Sequence, residues 1–441
     1  MNNTTVGLLF TGLLLVLVCG GMRVAFAAAL VGLLGLITII GMRSGVEKGF
    51  LVGIAMAGTI PHSKSVSYAL SILPMFILIG FLAFYAGITD KIFDAARKWV
   101  GWLPGGLAVA TVFATAGFAA VSGASTATAA VFARVAIPEM LKSGYDRRLA
   151  AGVVAAGGTL ASLIPPSGLL VIYAIIVEES VAQLLVAGFL PGMVSALIYG
   201  GVIVLRAKIN PGMGPPVTGF TWSERVRSLP GIVPVLLVIV IIFGGMYFGL
   251  ATPTEAGALG AFVVLVLAAL RGTKLTKFKE ALLETSKLTV MIFTIIWGVL
   301  LYVRFLGFAG IPEAFTSWIV NLDLPAMAIL IAVLLCYMVL GMFMDAIGML
   351  LLTLPIVQPA MLALGFDPIW FGIIVIKMAE ICLITPPIGL NCYVVSAVRP
   401  DIPVQDVFRG TWPFFVADVV TVAVLVAFPS IVLVLPQTMM Q

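Results

Sequence analysis

Charge is what this sequence has least of. Of its 441 residues only 10% are Asp, Glu, Lys or Arg, where a soluble domain carries roughly 25%. With 62% hydrophobic residues and a mean hydropathy of +1.21, that scarcity excludes a chain folding in water around a single core. Histidine is nearly missing. His62 is the only one, so there is no His cluster for a transition metal and no H-E-x-x-H helix. The four cysteines, Cys19, Cys336, Cys382 and Cys392, show no C-x-x-C spacing; their apolar neighbours mark them as buried small residues. The opening MNNTTVGLLF lacks a basic n-region, so a first span is expected there and no cleaved leader. The net charge of +5 reports topology and gives no reason to expect nucleic acid.

What the chain has in quantity is apolar runs of roughly 20 residues, the length that crosses a bilayer as a helix. The expected class is an all-α polytopic membrane protein. Spans are expected near 5–19, 24–41, 49–60 (short, tilted or partly inserted), 70–88, 184–205, 232–250, 254–270, 287–306 and 412–435. Between them lie two helix pairs, 104–121 with 127–141 and 326–342 with 347–363, and two helices broken by proline, 147–178 and 369–398. The total is about eleven transmembrane helices plus two hairpins. Both arms of a pair can cross fully or turn back at mid-membrane; small residues at the turn favour a re-entrant hairpin. Only 206–230 and 271–287 read as long polar connections, and no soluble domain is expected.

The second half repeats the first. Pro359, Gly365, Asp367, Pro386, Pro387 and Gly389 stand 221 residues after Pro138, Gly144, Asp146, Pro165, Pro166 and Gly168; Gln405, Gly410 and Pro413 stand 222 after Gln183, Gly188 and Pro191. Such recurrence marks an internal duplication. Five crossings separate the two hairpins, an odd number, so the second copy enters from the opposite face: an inverted repeat, as in many secondary transporters. Lys and Arg cluster accordingly. With the first hairpin's base in the cytoplasm, that side receives Lys91, Arg97, Lys98, Lys142, Arg147, Arg148, Arg206, Lys208, Arg225, Arg227, Arg271, Lys274, Lys277, Lys279, Lys287, Arg399 and Arg409. The other side receives Glu178, Glu179, Glu313, Asp323 and Asp367. Arg23 and Lys64 are exceptions. This count puts the N-terminus in the cytoplasm and the C-terminus outside.

Proline has no N–H and clashes with the carbonyl one turn back, so Pro165-Pro166 and Pro386-Pro387 each break a helix and free carbonyls and half-helix ends near mid-membrane. C-terminal half-helix ends suit Na⁺ and N-terminal ones an anionic group. Ser167 and Thr385 flank the breaks; Ser122, Ser125, Thr126 and Thr128 stand at one hairpin turn and Asp345 at the other. A lone Ser or Thr ordinarily bonds back to its own helix, but a duplicated set of hydroxyls, carbonyls and one carboxylate is a hard-oxygen site. Ionisable residues inside a membrane are functional candidates: Asp345 foremost, then Glu380, for which packing and gating roles stay open. Glu255 reads as a helix-start residue and Arg304 as snorkelling outward.

GASTATAA, IPEMLKSGYDRRLAAG, LIPPSGLLVIYA, FGLATPTEAGALGAF, GMFMDAIGMLLLTLPIVQP and ITPPIGLN resemble the large membrane subunit of tripartite ATP-independent periplasmic (TRAP) transporters, across most of the chain. The resemblance implies a sodium-coupled importer of organic acids in the bacterial inner membrane. It implies no organic cofactor, and as partners a separate small four-helix membrane subunit and a periplasmic substrate-binding protein. It implies an elevator in which 101–206 and 326–441 move past a scaffold formed by 1–100 and 207–325. Carried across, the family's sodium sites fall on Gly123, Ser125, Pro165 and Ser167, and on Gly341, Asp345, Thr385 and Gly389; Ser122, Thr126, Thr128 and Asn391 are the expected substrate contacts. The first turn reads Gly-Ala-Ser where the family has Gly-Ser-Ser, so Ala124 supplies no hydroxyl. A stand-alone sodium/dicarboxylate symporter is the alternative, and nothing pairs with Asp345 in a catalytic motif, so no enzyme is expected.

Overall fold

A computed structural model describes residues 2–66 and 68–439, and all of its regular structure there is helical. That follows from the solvent: in hydrocarbon every backbone N–H and C=O must be satisfied within the segment. In chain order the helices are α1 (Asn3–Cys19), α2 (Val24–Ser44), α3 (Val46–Ser65), α4 (Ile72–Tyr85), α5 (Ile88–Val100), α6 (Gly106–Ser122), α7 (Ser125–Lys142), α8 (Arg147–Thr159), α9 (Gly168–Val177), α10 (Val181–Ile209) and α11 (Trp222–Ser228). They continue with α12 (Val233–Ile239), α13 (Gly245–Tyr247), α14 (Pro253–Leu270), α15 (Leu275–Ala309), α16 (Ile311–Val320), α17 (Ala326–Gly341), α18 (Ala346–Ala363), α19 (Pro368–Cys382), α20 (Leu390–Val398), α21 (Val404–Ala427) and α22 (Ser430–Thr438). Six helices are long and apolar enough to cross a membrane, or eight if two bent pairs each count as one.

Both expected hairpins (α6/α7, α17/α18) and both broken helices (α8/α9, α19/α20) are present. Three expectations need correction. The polar stretch 271–287 is largely helix, because α15 already begins at Leu275 and runs 35 residues, about 52 Å. The stretch 206–230 holds α11, opened by a capping box between Thr221 and Glu224; the Thr221 N–H holds that solvent-exposed carboxyl below the usual range. The span expected at 49–60 is longer at both ends, because α3 runs from Val46 to Ser65 and takes in His62. The cysteines divide: Cys382 and Cys392 are buried, but Cys336 is exposed on α17. The side chains of Cys19 and Lys64 lie outside the described residues.

An amphipathic helix precedes each hairpin. α5 leaves α4 at a 70° bend and buries Ile88, Ile92 and Phe93; α16 follows α15 and buries Ile311 and Ile319. Subtracting 221 from 311–320 gives 90–99, inside α5, so both occupy the same place in the repeat.

Close contacts fix the relative directions of the helices. α2 runs parallel to α15: Gly298 abuts Ala25, Gly32 abuts Leu301 and Tyr302, and Gly35 abuts Phe305, with no room for a Cβ at any of the three glycines. Small residues permit such close approach between membrane helices. α1 runs antiparallel to α15, with Gly7 against Ala309 and Ile311 and Thr11 Oγ1 2.9 Å from the Tyr302 hydroxyl. The expected topology ran α1 and α15 in the same sense, and α3 explains the error. It packs back along α2, with Gly49 against Gly41 and Gly53 against Ile37, yet Ile60 and Ser63 near its end line one cavity with Arg43 at the end of α2. This continuous helix therefore does not complete a crossing of its own. Counting it as a crossing inverts everything before it. Residues near Gly7 lie on the face of the 310–325 loop, opposite the basic start of α15. Thr438, bonded to the Tyr247 hydroxyl at 3.0 Å, shares the face of the 250–254 turn.

The broken helices also run oppositely. α8 is parallel to α21, with Gly152 against Gly410 and Arg148 bonded to Asp406 at 3.0 Å. α19 is antiparallel to α21, with the Trp370 indole donating to the Leu425 carbonyl at 3.1 Å. In a cysteine-free background, Ser143→Cys and Leu364→Cys should therefore be labelled by an impermeant thiol reagent from opposite faces. Thr5→Cys should label with Leu364→Cys; its labelling with Ser143→Cys would restore the original parity.

Candidate functional site

The first turn is built on Gly123, which caps α6 in the left-handed region at φ 60. A Cβ there would be strained and would meet the Pro166 carbonyl. The chain therefore brings the turn directly onto the first break. The Gly123 carbonyl accepts the Gly168 N–H at 3.4 Å, and the Ser125 and Ser162 hydroxyls are 2.7 Å apart. Ser167 donates to the Ser162 carbonyl and accepts the Leu170 N–H at 3.3 Å, capping α9. Pro165, in a cis bond to Pro166, is buried beside them. Gly123, Ser125, Pro165 and Ser167 are thus gathered in one place, with Ser162 added. Sequence reasoning missed Ser162, which sits in a short 3-10 turn before the break.

At the second turn Asp345 caps α18 by accepting the Gly348 N–H at 3.0 Å, leaving carboxylate capacity for another donor or cation. Gly341 ends α17 against the Cys382 thiol, with no room for a Cβ. Thr385 donates to the Ile381 carbonyl at 2.6 Å, the back-bond a lone Thr would make. Gly389 opens α20 at φ 43. Both breaks offer hydroxyl and carbonyl oxygens, which fit a hard monovalent cation. They differ in exposure: Pro165 and Pro166 are buried, whereas Pro386 and Pro387 are exposed.

Of the four expected substrate contacts, Ser122 lines a cavity of about 310 Å³ between the first hairpin and α4 and α15. Its hydroxyl is 2.8 Å from that of Thr128. Thr128 is fully buried and also donates to the Ala124 carbonyl at 2.9 Å, so it braces the turn. Thr126 is half-buried. Asn391 is fully buried and donates to the Ala155 carbonyl at 3.1 Å, tying α20 to α8 and so joining the two halves of the chain.

With two turns meeting two breaks, the comparisons fall into place. The sequence matches, over residues 11–431, the family described as "Tripartite ATP-independent periplasmic transporter, DctM component". The chain belongs to the DctM family. It is 39% identical over 376 residues to the C4-dicarboxylate TRAP transporter large permease DctM of Pseudomonas aeruginosa, covering 84% of this chain and 86% of that one. It is 31% identical to the sialic acid TRAP transporter large permease SiaM of Vibrio cholerae (84% and 87% covered). It is 30% identical to the ectoine TRAP transporter large permease TeaC of Halomonas elongata (86% and 87%). In fold it is similar to the YdaH transporter of Alcanivorax borkumensis, with a TM-score of 0.52 at 13% identity over 81% of this chain and 86% of that one. This DctM-family chain is therefore a TRAP large permease, a multi-pass membrane protein of a transporter class.

Other intramembrane ions divide by role. Glu255 closes a capping box with Thr252, as expected of a helix-start residue. Arg304 is exposed, 5.9 Å from the Phe308 ring centroid, and lines an outer cavity of about 720 Å³ with Arg43 and Glu178. Glu380 is committed to packing: fully buried, it accepts from Lys377 at 2.6 Å. Lys377 also reaches Asp418 at 2.7 Å, and Asp418 accepts the Tyr199 hydroxyl at 2.6 Å.

Proposed function

We propose that this chain is the translocating subunit of a sodium-driven importer of small organic acids, operating as an elevator with an inverted duplication. It would take its substrate from a periplasmic binding protein and work beside a small membrane subunit. The observation that carries the reading is the first turn meeting the first break around Gly123, Ser125, Pro165 and Ser167, with Gly341 of the second turn seated against Cys382 just before the second break, the turn and break that carry Asp345, Thr385 and Gly389. Oxygens at each pairing would hold Na⁺ and make the turn-and-break block bind substrate better when loaded. α5 and α16, at matching places in the repeat, would be the arms on which the block moves. Relatives named for C4-dicarboxylates, sialic acid and ectoine support a small polar solute and leave its identity to the binding protein.

Sodium dependence tests this. Losing a charged ligand removes roughly 1.5–3 kcal/mol, so Asp345→Asn should raise the sodium concentration for half-maximal uptake roughly tenfold or more. Thr385→Ala, a neutral ligand, should raise it several-fold. Expression and detergent stability are checked alongside. Unchanged sodium activation in both variants would remove this site from the coupling.

A further inference from the structure

We infer that Arg134 is the carboxylate-recognising residue of the cavity beside the first hairpin turn, an inference that rests on the transport reading above. The cavity lies between α7 on one side and α4 and α15 on the other. Ser122 and Ala124 at the turn and Ala127 and Ala130 along α7 give it a wall of small side chains; Phe81 and Phe84 face them. Arg134 projects into it nine residues below Ser125 on the same helix, about 13 Å from the turn. Its guanidinium is exposed and makes no ion pair among the described residues. The one carboxylate on the lining, Glu284, is already engaged by Lys287 at 2.8 Å.

An unpartnered cation part-way along a membrane helix is costly, and such residues line substrate pathways. Arginine is the side chain whose planar fork matches a carboxylate with two parallel hydrogen bonds. The Ser122 hydroxyl is committed to Thr128, which leaves the Tyr85 hydroxyl and the Arg134 guanidinium as lining donors; of the two, only Arg134 carries a positive charge and offers two parallel N–H groups. The ligand that fits is a small organic acid presenting one carboxylate to Arg134, with its carbon skeleton between the alanine wall and Phe81 and Phe84. The cavity's volume, about 310 Å³, sits near the lower end of ligand sites, roughly 300–1,000 Å³, and suits a small solute.

The test uses the complete membrane complex in vesicles, with the native cysteines replaced and Ala130→Cys introduced on the lining. An anionic thiosulfonate should label the new thiol faster than a neutral one. Millimolar succinate and benzoate, as carboxylate probes, should slow labelling several-fold, while uncharged succinamide should not. Adding Arg134→Gln should abolish both the anionic preference and the protection, with labelling by the neutral reagent unchanged as the check on folding; Arg134→Lys should keep the preference and part of the protection. Equal protection with and without Arg134, or no protection by either carboxylate, overturns the inference. Sodium-driven uptake by the unmodified complex is measured in parallel. If it persists with unchanged KM in Arg134→Gln, the assignment of Arg134 fails while the transport reading stands; if the unmodified complex shows none, the transport reading itself fails.

Discussion

Proteoliposomes holding this chain and the small membrane subunit, with an inward sodium gradient, should show no organic-acid uptake above background until the binding protein is added. The face shared by the 178–180, 310–325 and 365–368 turns explains why a partner is needed. Glu178, Glu313, Asp323 and Asp367 are exposed there and Glu179 half-exposed, with no Lys or Arg in those turns. An anion diffusing in alone is repelled over about 8 Å at physiological salt. A basic patch on a binding protein is attracted over the same range, which speeds and orients docking. Arg43 and Arg304 line the outer cavity together with Glu178, outside those turns. Glu178→Gln with Glu179→Gln should therefore slow uptake several-fold at low ionic strength, and the difference should shrink near 1 M salt, where the screening length is about 3 Å. Robust uptake by this chain alone would replace the tripartite reading with a stand-alone sodium symporter.

The duplication was legible because it is written in glycine and proline, whose positions the backbone dictates. Gly123 is held to its turn by a left-handed φ, and Pro165 and Pro386 end helices by lacking an N–H. The fate of α3 was not legible. A helix that stops short of the far face has much the same hydropathy as one that crosses, and topology counted by parity inherits every such error. The bonding partners of Ser162, Thr128 and Asn391 were not legible for another reason: whether a hydroxyl or amide faces a cavity or a neighbouring carbonyl depends on tertiary contacts no local pattern carries. Lys377 and Asp418 were readable and overlooked. A lysine three residues before Glu380 on an apolar helix, and an aspartate inside the last long span, are the kind of intramembrane charge that should prompt a search for partners.

That cluster is where a single substitution should do most damage to the fold. Lys377, Glu380, Asp418 and Tyr199 are all fully buried. They bind α19 to α21 and α10, the helices that pack around the first half of the second broken helix. The Lys377 ammonium bridges two carboxylates at 2.6 and 2.7 Å and sits 5.4 Å from the Tyr199 ring centroid. One oxygen on each acid, Glu380 Oε1 and Asp418 Oδ2, has no partner among the described residues, so the ammonium is the main compensation either carboxylate has. Lys377→Met removes it and leaves two buried acids facing each other. Breaking a buried pair by deleting one partner costs about 3–5 kcal/mol, a large share of the stability of any domain. The expected result is a sharp fall in the detergent unfolding temperature and little folded protein. Tyr199→Phe deletes one hydrogen bond to a charged group, worth roughly 1.5–3 kcal/mol, and should fall between that variant and the unaltered chain. Replacing all three ions together, Lys377→Met with Glu380→Gln and Asp418→Asn, removes the charges that need compensation and should recover most of the loss, because well-packed neutral groups often match a buried ion pair. If the triple variant is no more stable than Lys377→Met, shape and not charge balance is what the cluster supplies. If Lys377→Met keeps the unaltered unfolding temperature, the ammonium is not holding these helices together.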